Sequence, residues 1–243
     1  MTALCGVARR RPLHVLVLAK APVPGRVKTR LCPPCTPREA ATIAEAALAD
    51  TLAAVAACHA EFKILALEGA SGRWLPPGFA VVAQRGRSFE QRLANAWADT
   101  AVYSGGWGIQ IGMDTPQVTA ALLDEQLSSL VAPPRNDEPG KRRPRALLGA
   151  AIDGGWWVIG LPGSDPCAVF TGVPMSTSST GAAQARRLGD LGLDVVTAPE
   201  LVDIDDADDL RVVVATIPGS RTAAAARRAL ARIDEASLTA IGA

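Results

Sequence analysis

Lys20, Arg26, Lys28 and Arg30 place four cations within eleven residues, with no acid among them. They lie in the stretch Ala19-Lys-Ala-Pro-Val-Pro-Gly-Arg-Val-Lys-Thr-Arg-Leu31, which directly follows the apolar run His14-Val-Leu-Val-Leu-Ala19. A buried strand that delivers a loop shaped by proline and Gly25, and then a helix, is suited to hold a polyphosphate. Backbone N–H groups, with the Thr29 segment among them, can point at the anion, while ammonium and guanidinium groups neutralise it. The plainer alternative is a solvated basic loop.

Acids supply the second half of such chemistry. Asp114, in Gly112-Met113-Asp114-Thr115-Pro116, stands where an apolar strand ends. The carboxyl ends of strands in an open α/β sheet form the ligand crevice, so Asp114 could hold Mg²⁺ or Mn²⁺ against phosphate oxygens. An Asx turn before proline would explain it equally well. In Asp203-Ile204-Asp205 the period of two puts both carboxylates on one face of an extended segment. Like charges that close repel unless a metal or a basic group offsets them. Asp206, Asp208 and Asp209 read instead as first-turn residues of a helix, where acids favour the dipole. Asp153-Gly154-Gly155 suits a hairpin turn, but paired glycines also let a substrate approach the backbone, and Asp153 could position an acceptor. Trp156 and Trp157 point to opposite faces, leaving one for stacking and one for the core.

Apolar runs and helical patterns alternate in the βαβ manner along the chain. Strands are expected near 13–19, 62–67, 80–83, 108–112, 146–152 and 156–161, with another around Val195. Thr36-Pro37-Arg38-Glu39 opens a helix to about Cys58, and Ser88-Phe-Glu-Gln91 opens another to about Tyr103. Helices near 119–131 and 179–191 and two closing helices within 206–240 complete the pattern. Pro133 to Arg145 reads as a surface loop. No repeat or linker divides the 243 residues, so one α/β domain with its core at about 13–215 is expected.

Net charge is +1, which gives no general nucleic-acid or membrane footprint. No apolar run free of charges reaches membrane-spanning length, and the Arg9-Arg10-Arg11 start does not read as a signal peptide; a cytoplasmic protein is the expectation. Five cysteines include Cys32-Pro-Pro-Cys35, but the two histidines, His14 and His59, are not placed to complete a zinc site. The pair reads as loop cysteines beside the site. Walker and dinucleotide fingerprints are absent, and a Ser–His–Asp arrangement has no suitable histidine.

The basic loop, the Gly112–Pro116 block, Asp153-Gly-Gly-Trp-Trp-Val-Ile-Gly160 and Asp203-Ile-Asp205 with Asp209-Leu210 together resemble a bacterial glycosyltransferase-like family of GT-A fold. Some of its members are arsenosugar-biosynthesis glycosyltransferases. That family is similar to the guanylyltransferases acting on phospholactate or phosphoenolpyruvate and on the molybdenum cofactor. The resemblance implies a nucleotide-diphospho-sugar transferase fold with a mixed, mostly parallel central sheet flanked by helices. It further implies Lys20, Arg26, Lys28 and Arg30 on nucleotide phosphates, Asp114 on the metal, and Asp203 or Asp205 completing its shell. Met113, Trp156 and Pro174-Met175-Ser176 depart from the family pattern and concern the acceptor end.

The expected activity is therefore metal-dependent transfer using a nucleotide and a small-molecule acceptor. Nucleotidyl transfer from an NTP, glycosyl transfer from an NDP-sugar, and nucleotide binding without catalysis all stay open at this point. So does the choice between monomer and homodimer.

Overall fold

The computed structural model describes residues 11–133 and 143–241. The segment expected as a surface loop after Pro133 falls mostly outside them, as do Cys5, Arg9 and Arg10. In chain order the elements are β1 (His14–Lys20), α1 (Pro37–Ala57), β2 (Phe62–Glu68), β3 (Phe79–Ala83), α2 (Phe89–Ser104), β4 (Trp107–Ile111) and α3 (Ala120–Val131). There follow β5 (Arg145–Ala151), β6 (Trp156–Pro162), α4 (Pro166–Phe170), α5 (Thr180–Asp190), β7 (Asp194–Leu201), α6 (Ala207–Thr216) and α7 (Arg221–Ile241).

The seven strands form one sheet in the order β3-β2-β1-β4-β6-β5-β7. β6 runs antiparallel to both neighbours, and the other pairings are parallel. The mixed, mostly parallel sheet inferred from the sequence is thus observed. From β1 the chain crosses to β2 on one side, while β4 leads to strands on the other. The two strands lie side by side, so their carboxyl ends flank the point where strand order reverses, the crevice in which open α/β sheets bind ligands.

Both sheet faces are covered, as the continuous apolar character of β1 requires. Leu48 and Leu52 of α1, with Leu123 and Leu127 of α3, pack on one face against Val15, Val17, Ile109 and Ile111. Leu93 and Trp97 of α2, with Phe170 and Leu188, pack on the other against Leu16, Ile64 and Ile159. His14 is buried with them, edge-on to Trp97 at 4.9 Å and with Nδ1 2.6 Å from Ser104 Oγ. Burial pushes its pKa down to about 3, so the ring stays neutral and structural.

α1 starts with a full capping box. Thr36 Oγ1 accepts from the Glu39 N–H at 3.3 Å, and the Glu39 carboxylate accepts from the Thr36 N–H at 2.7 Å. An 18-residue window of α1 is long and apolar enough to cross a bilayer, yet half of that window is buried inside the protein. The short α4 escapes sequence reading because five residues are too few to show helical periodicity.

A third apolar cluster brings distant segments together. Leu31, Cys35, Ala40, Ile43, Ile204, Leu210 and Val213 are buried in it. Leu31 closes the basic loop and Ile204 separates Asp203 from Asp205, so one patch of packing anchors both charged segments.

Candidate active site at the end of strands β1 and β4

A cavity of about 520 Å³ opens at the carboxyl ends of β1 and β4. Lys20, Arg26, Lys28, Thr29 and Arg30 line it from the basic stretch, and Asp114, Asp153, Asp203 and Asp205 from other segments. All the sequence-selected site residues except Gly25 therefore border one space. Gly25 lies outside the lining; its φ of 76° turns the chain where Arg26 N–H bonds Val23 O at 3.0 Å. The helix expected after the loop is a 3₁₀ turn, Thr29–Leu31, and α1 begins only at Pro37 with its N-terminus already capped by the Thr36–Glu39 box.

Apolar anchors aim the charges. Val27 (6% exposed) and Leu31 are buried; Arg26, Thr29 and Arg30 around them are exposed, and Lys28 turns toward Asp114 and Asp205. Ile204 is likewise fully buried, and its N–H bonds Asp114 O at 2.9 Å, tying the acidic segment to the end of β4. Met113, a departure from the family pattern, is buried too; its sulfur lies 3.3 Å from the Lys20 backbone N–H.

Lys28 is the hinge of the arrangement. Its Nζ lies 2.8 Å from Asp114 Oδ1 and 3.6 Å from Asp205 Oδ1, and it donates to Ile204 O; the side chain is 8% exposed. Arg30 reaches Asp205 Oδ2 at 2.9 Å. Lys28 has a left-handed backbone, φ 48° and ψ 41°. Ser176 has φ 58°. Among the described residues these are the non-glycine residues with positive φ, and both border the cavity. Such backbone costs roughly 1–3 kcal/mol per residue and clusters at functional sites.

Asp203 is the odd carboxylate. Among the described residues no hydrogen bond or ion pair reaches it, and its pKa is pushed up to about 7. Burial is the main cause, with the charges of Asp114, Asp153 and Asp205 adding to it against the opposing effect of Lys28. No trio of Asp, Glu, His or Cys among the described residues is arranged as a metal cage. Of the three acids expected on a metal, Asp114 and Asp205 pair with the Lys28 ammonium, and Asp203 borders the same cavity.

The Asp153-Gly-Gly turn connects β5 to β6 as expected, with Asp153 Oδ1 accepting from the Gly155 N–H at 2.8 Å. Its first glycine serves packing rather than substrate approach. A Cβ on Gly154 would stand 2.1 Å from Ser178 O, and Gly154 O accepts from the Gly181 N–H at 2.8 Å. The turn is thereby docked on the start of α5. A register shift between Gly149 and Ala150 accompanies the divergence of the two tryptophans. Trp157 enters the core with its Nε1 donating to Pro199 O at 2.8 Å. Trp156 stacks on Phe170, centroids 6.4 Å apart, and borders the cavity.

Sequence reasoning missed Gln84, Phe89, Arg92, Gln110 and Thr115, which also line the space. Gln110 had a visible signal, being a polar residue inside the apolar strand Gly108-Ile-Gln-Ile-Gly112. Cys35 is buried within the third cluster and Cys32 packs against it. Burial and the charge of Glu39 push the Cys32 thiol up, away from nucleophilic reactivity.

A family profile described as "Uncharacterized protein conserved in bacteria (DUF2064)" matches residues 40–177, more than half of the chain. The chain belongs to the DUF2064 family. No curated protein matches it. This DUF2064 chain is similar in structure to a protein of Desulfovibrio desulfuricans G20 provisionally assigned as a nucleotide-diphospho-sugar transferase. The TM-score is 0.78 at 25% identity, over 93% of this chain and 98% of that one. CMP:2-keto-3-deoxy-manno-octonic acid synthetase, solved with CTP, gives 0.48 at 12% identity, over 85% and 98%. Rv0371c from Mycobacterium tuberculosis H37Rv, solved with manganese, gives 0.46 at 18%, over 84% and 99%. By its likeness to the D. desulfuricans protein, the DUF2064 chain has the nucleotide-diphospho-sugar transferase fold, the GT-A-type fold that its motifs implied.

Proposed function

We propose that this protein is a metal-dependent nucleotidyltransferase. It takes an NTP and a small phosphorylated or acidic acceptor, and it releases pyrophosphate. The observation that carries the reading is the Lys28–Asp114 pair at 2.8 Å, in a cavity that the cations of one loop share with carboxylates from three other segments. Such polarity suits a polyphosphate on the basic side and its counter-cation on the acidic side.

The donors are oxygens only, which suits Mg²⁺ or Mn²⁺. Mg²⁺ is commonly held by one or two carboxylates plus substrate phosphates, not by an all-protein cage. Asp114, with Asp203 or Asp205, would provide those carboxylates; beside burial, the charges of Asp114, Asp153 and Asp205 raise Asp203, and that concentration of negative charge supports a cation there. When bound, the ion would neutralise charge developing on the phosphates.

The chain's own groups account for the rest. Lys20, Arg26, Thr29 and Arg30 hold the phosphates, and Lys28 moves its charge from Asp114 toward the pyrophosphate that leaves. Each charge-assisted contact is worth about 1.5–3 kcal/mol, so loss of Lys28 or Arg30 slows the reaction roughly tenfold to a hundredfold. The acceptor oxygen bonds the α-phosphorus, the bond to the bridging oxygen breaks, and pyrophosphate leaves with that electron pair. Asp153, exposed and fixed by Gly155, orients the acceptor.

Glycosyl transfer from an NDP-sugar is the second reading, favoured by the assignment of the D. desulfuricans relative. Four cations on the one loop favour a triphosphate over a diphosphate. Product analysis decides: with NTP and an acceptor panel, pyrophosphate is expected. Release of nucleoside diphosphate from a sugar nucleotide would select the second reading, and Mg-nucleotide binding without turnover would leave a non-catalytic binding protein.

A further inference from the structure

We infer that Gln110 reads an uncharged, hydrogen-bonding ring attached to the phosphates, either the base or the sugar of the nucleotide ligand. The inference rests on the nucleotide reading and extends it to the part of the ligand the charges do not touch. The lobe concerned is walled by the sheet face opposite the one on which Val27 and Met113 are buried. Leu18, Phe89, Trp156 and Met175 line it, and Leu18, Trp156 and Met175 belong to the apolar cluster on that face. Arg92 also reaches it, but its charge is matched by Glu68 at 2.8 Å.

Gln110 is 2% exposed, and its Oε1 is buried without a partner. No hydrogen bond to its amide is made by any described residue, although it lines the cavity. Its neighbours in register, Leu16 on β1 and Ile159 on β6, are apolar. A buried amide left unpaired is costly, and nothing in the packing of β4 requires one, since Ile109 and Ile111 beside it are aliphatic. A ligand edge carrying donor and acceptor would satisfy the amide, while aromatic and thioether walls suit the faces of a ring. An anionic group gains little from a neutral amide in an apolar lobe, so the phosphates belong with the basic loop.

The test is calorimetry and thermal shift on the full chain with Mg²⁺, comparing wild type with Gln110→Leu. The probes are tripolyphosphate, the four NTPs, UDP and UDP-glucose. Gln110→Leu should bind tripolyphosphate as wild type does and melt no lower, because the unpaired amide is gone. It should bind the ring-bearing probes roughly fivefold to a hundredfold more weakly. Weakening of NTPs and UDP assigns the lobe to the base; loss of only the UDP-glucose advantage over UDP assigns it to the sugar. Unchanged affinity for every probe overturns the inference, and so does a lowered melting point with all probes weakened together. If wild type ignores tripolyphosphate, the polyphosphate reading falls instead. The lobe is then judged on free nucleosides and glucose, whose binding must still weaken in the variant.

Discussion

Asp203 shows how a single residue can be costly to the resting protein and useful to a charged ligand. Its pKa of about 7 lies above the ordinary 3.8, so between those values the folded state keeps a proton that the unfolded state has lost. The stability this gives is complete at low pH and disappears as pH rises through about 7. Asp203→Asn should therefore melt higher than wild type at pH 8 without metal, by a few degrees, taking roughly 2–4 °C per kcal/mol for a chain this long. At pH 5.5 the gain should fall to roughly half, because the folded state then keeps the proton while the unfolded chain has already lost it. Differential scanning fluorimetry at the two pH values checks this, and a variant that melts lower at pH 8 would contradict it. The alternation of Asp203 and Asp205 around Ile204 was legible in the sequence, since a period of two fixes faces. The ion pairs of Lys28 were not, because they join residues 86 and 177 positions apart in the chain. Nor was the backbone of Ser176, because nothing in Pro174-Met175-Ser176 demands positive φ.

Among the elements, the β5–β6 turn and the basic loop use glycine for different reasons. Gly154 has φ 88° and no room for a Cβ, whereas Gly25 has φ 76° with nothing within 4 Å of one. Gly154→Ala thus adds a clash with the Ser178 backbone to the conformational strain. It should cost about 2–4 kcal/mol, and Gly25→Ala only about 1 kcal/mol. Urea denaturation of both variants measures the difference, and equal costs would contradict the docking of the turn on α5. The hairpin itself was legible from Asp-Gly-Gly between two apolar runs. Its contact with α5 was not, because close backbone approach leaves no mark beyond the glycines. Helix starts with a capping residue at the correct spacing, Thr36 and Ser88, were readable to within a residue.

At the scale of the whole molecule, strand order creates the crevice and side-chain packing fills it with opposite charges. Alternating apolar and helical segments announced an α/β sheet, and the motifs announced its family. Strand order was not readable: the Asp153-Gly-Gly hairpin sets β6 antiparallel to β5, but the insertion of β6 beside β4 depends on how the sheet covers both faces. Convergence of residues 20–30, 114 and 203–205 rests on that order and on the shared packing of Leu31 and Ile204. The central claim is that these groups bind a polyphosphate together with a divalent cation. The direct measurement is calorimetric titration of a nucleoside triphosphate into wild type and Asp114→Ala, each with Mn²⁺ and with chelator. Wild type should bind at least tenfold more tightly with the metal, and Asp114→Ala should lose that ratio while retaining the metal-free affinity contributed by the basic loop. The same metal enhancement in both proteins would contradict the account.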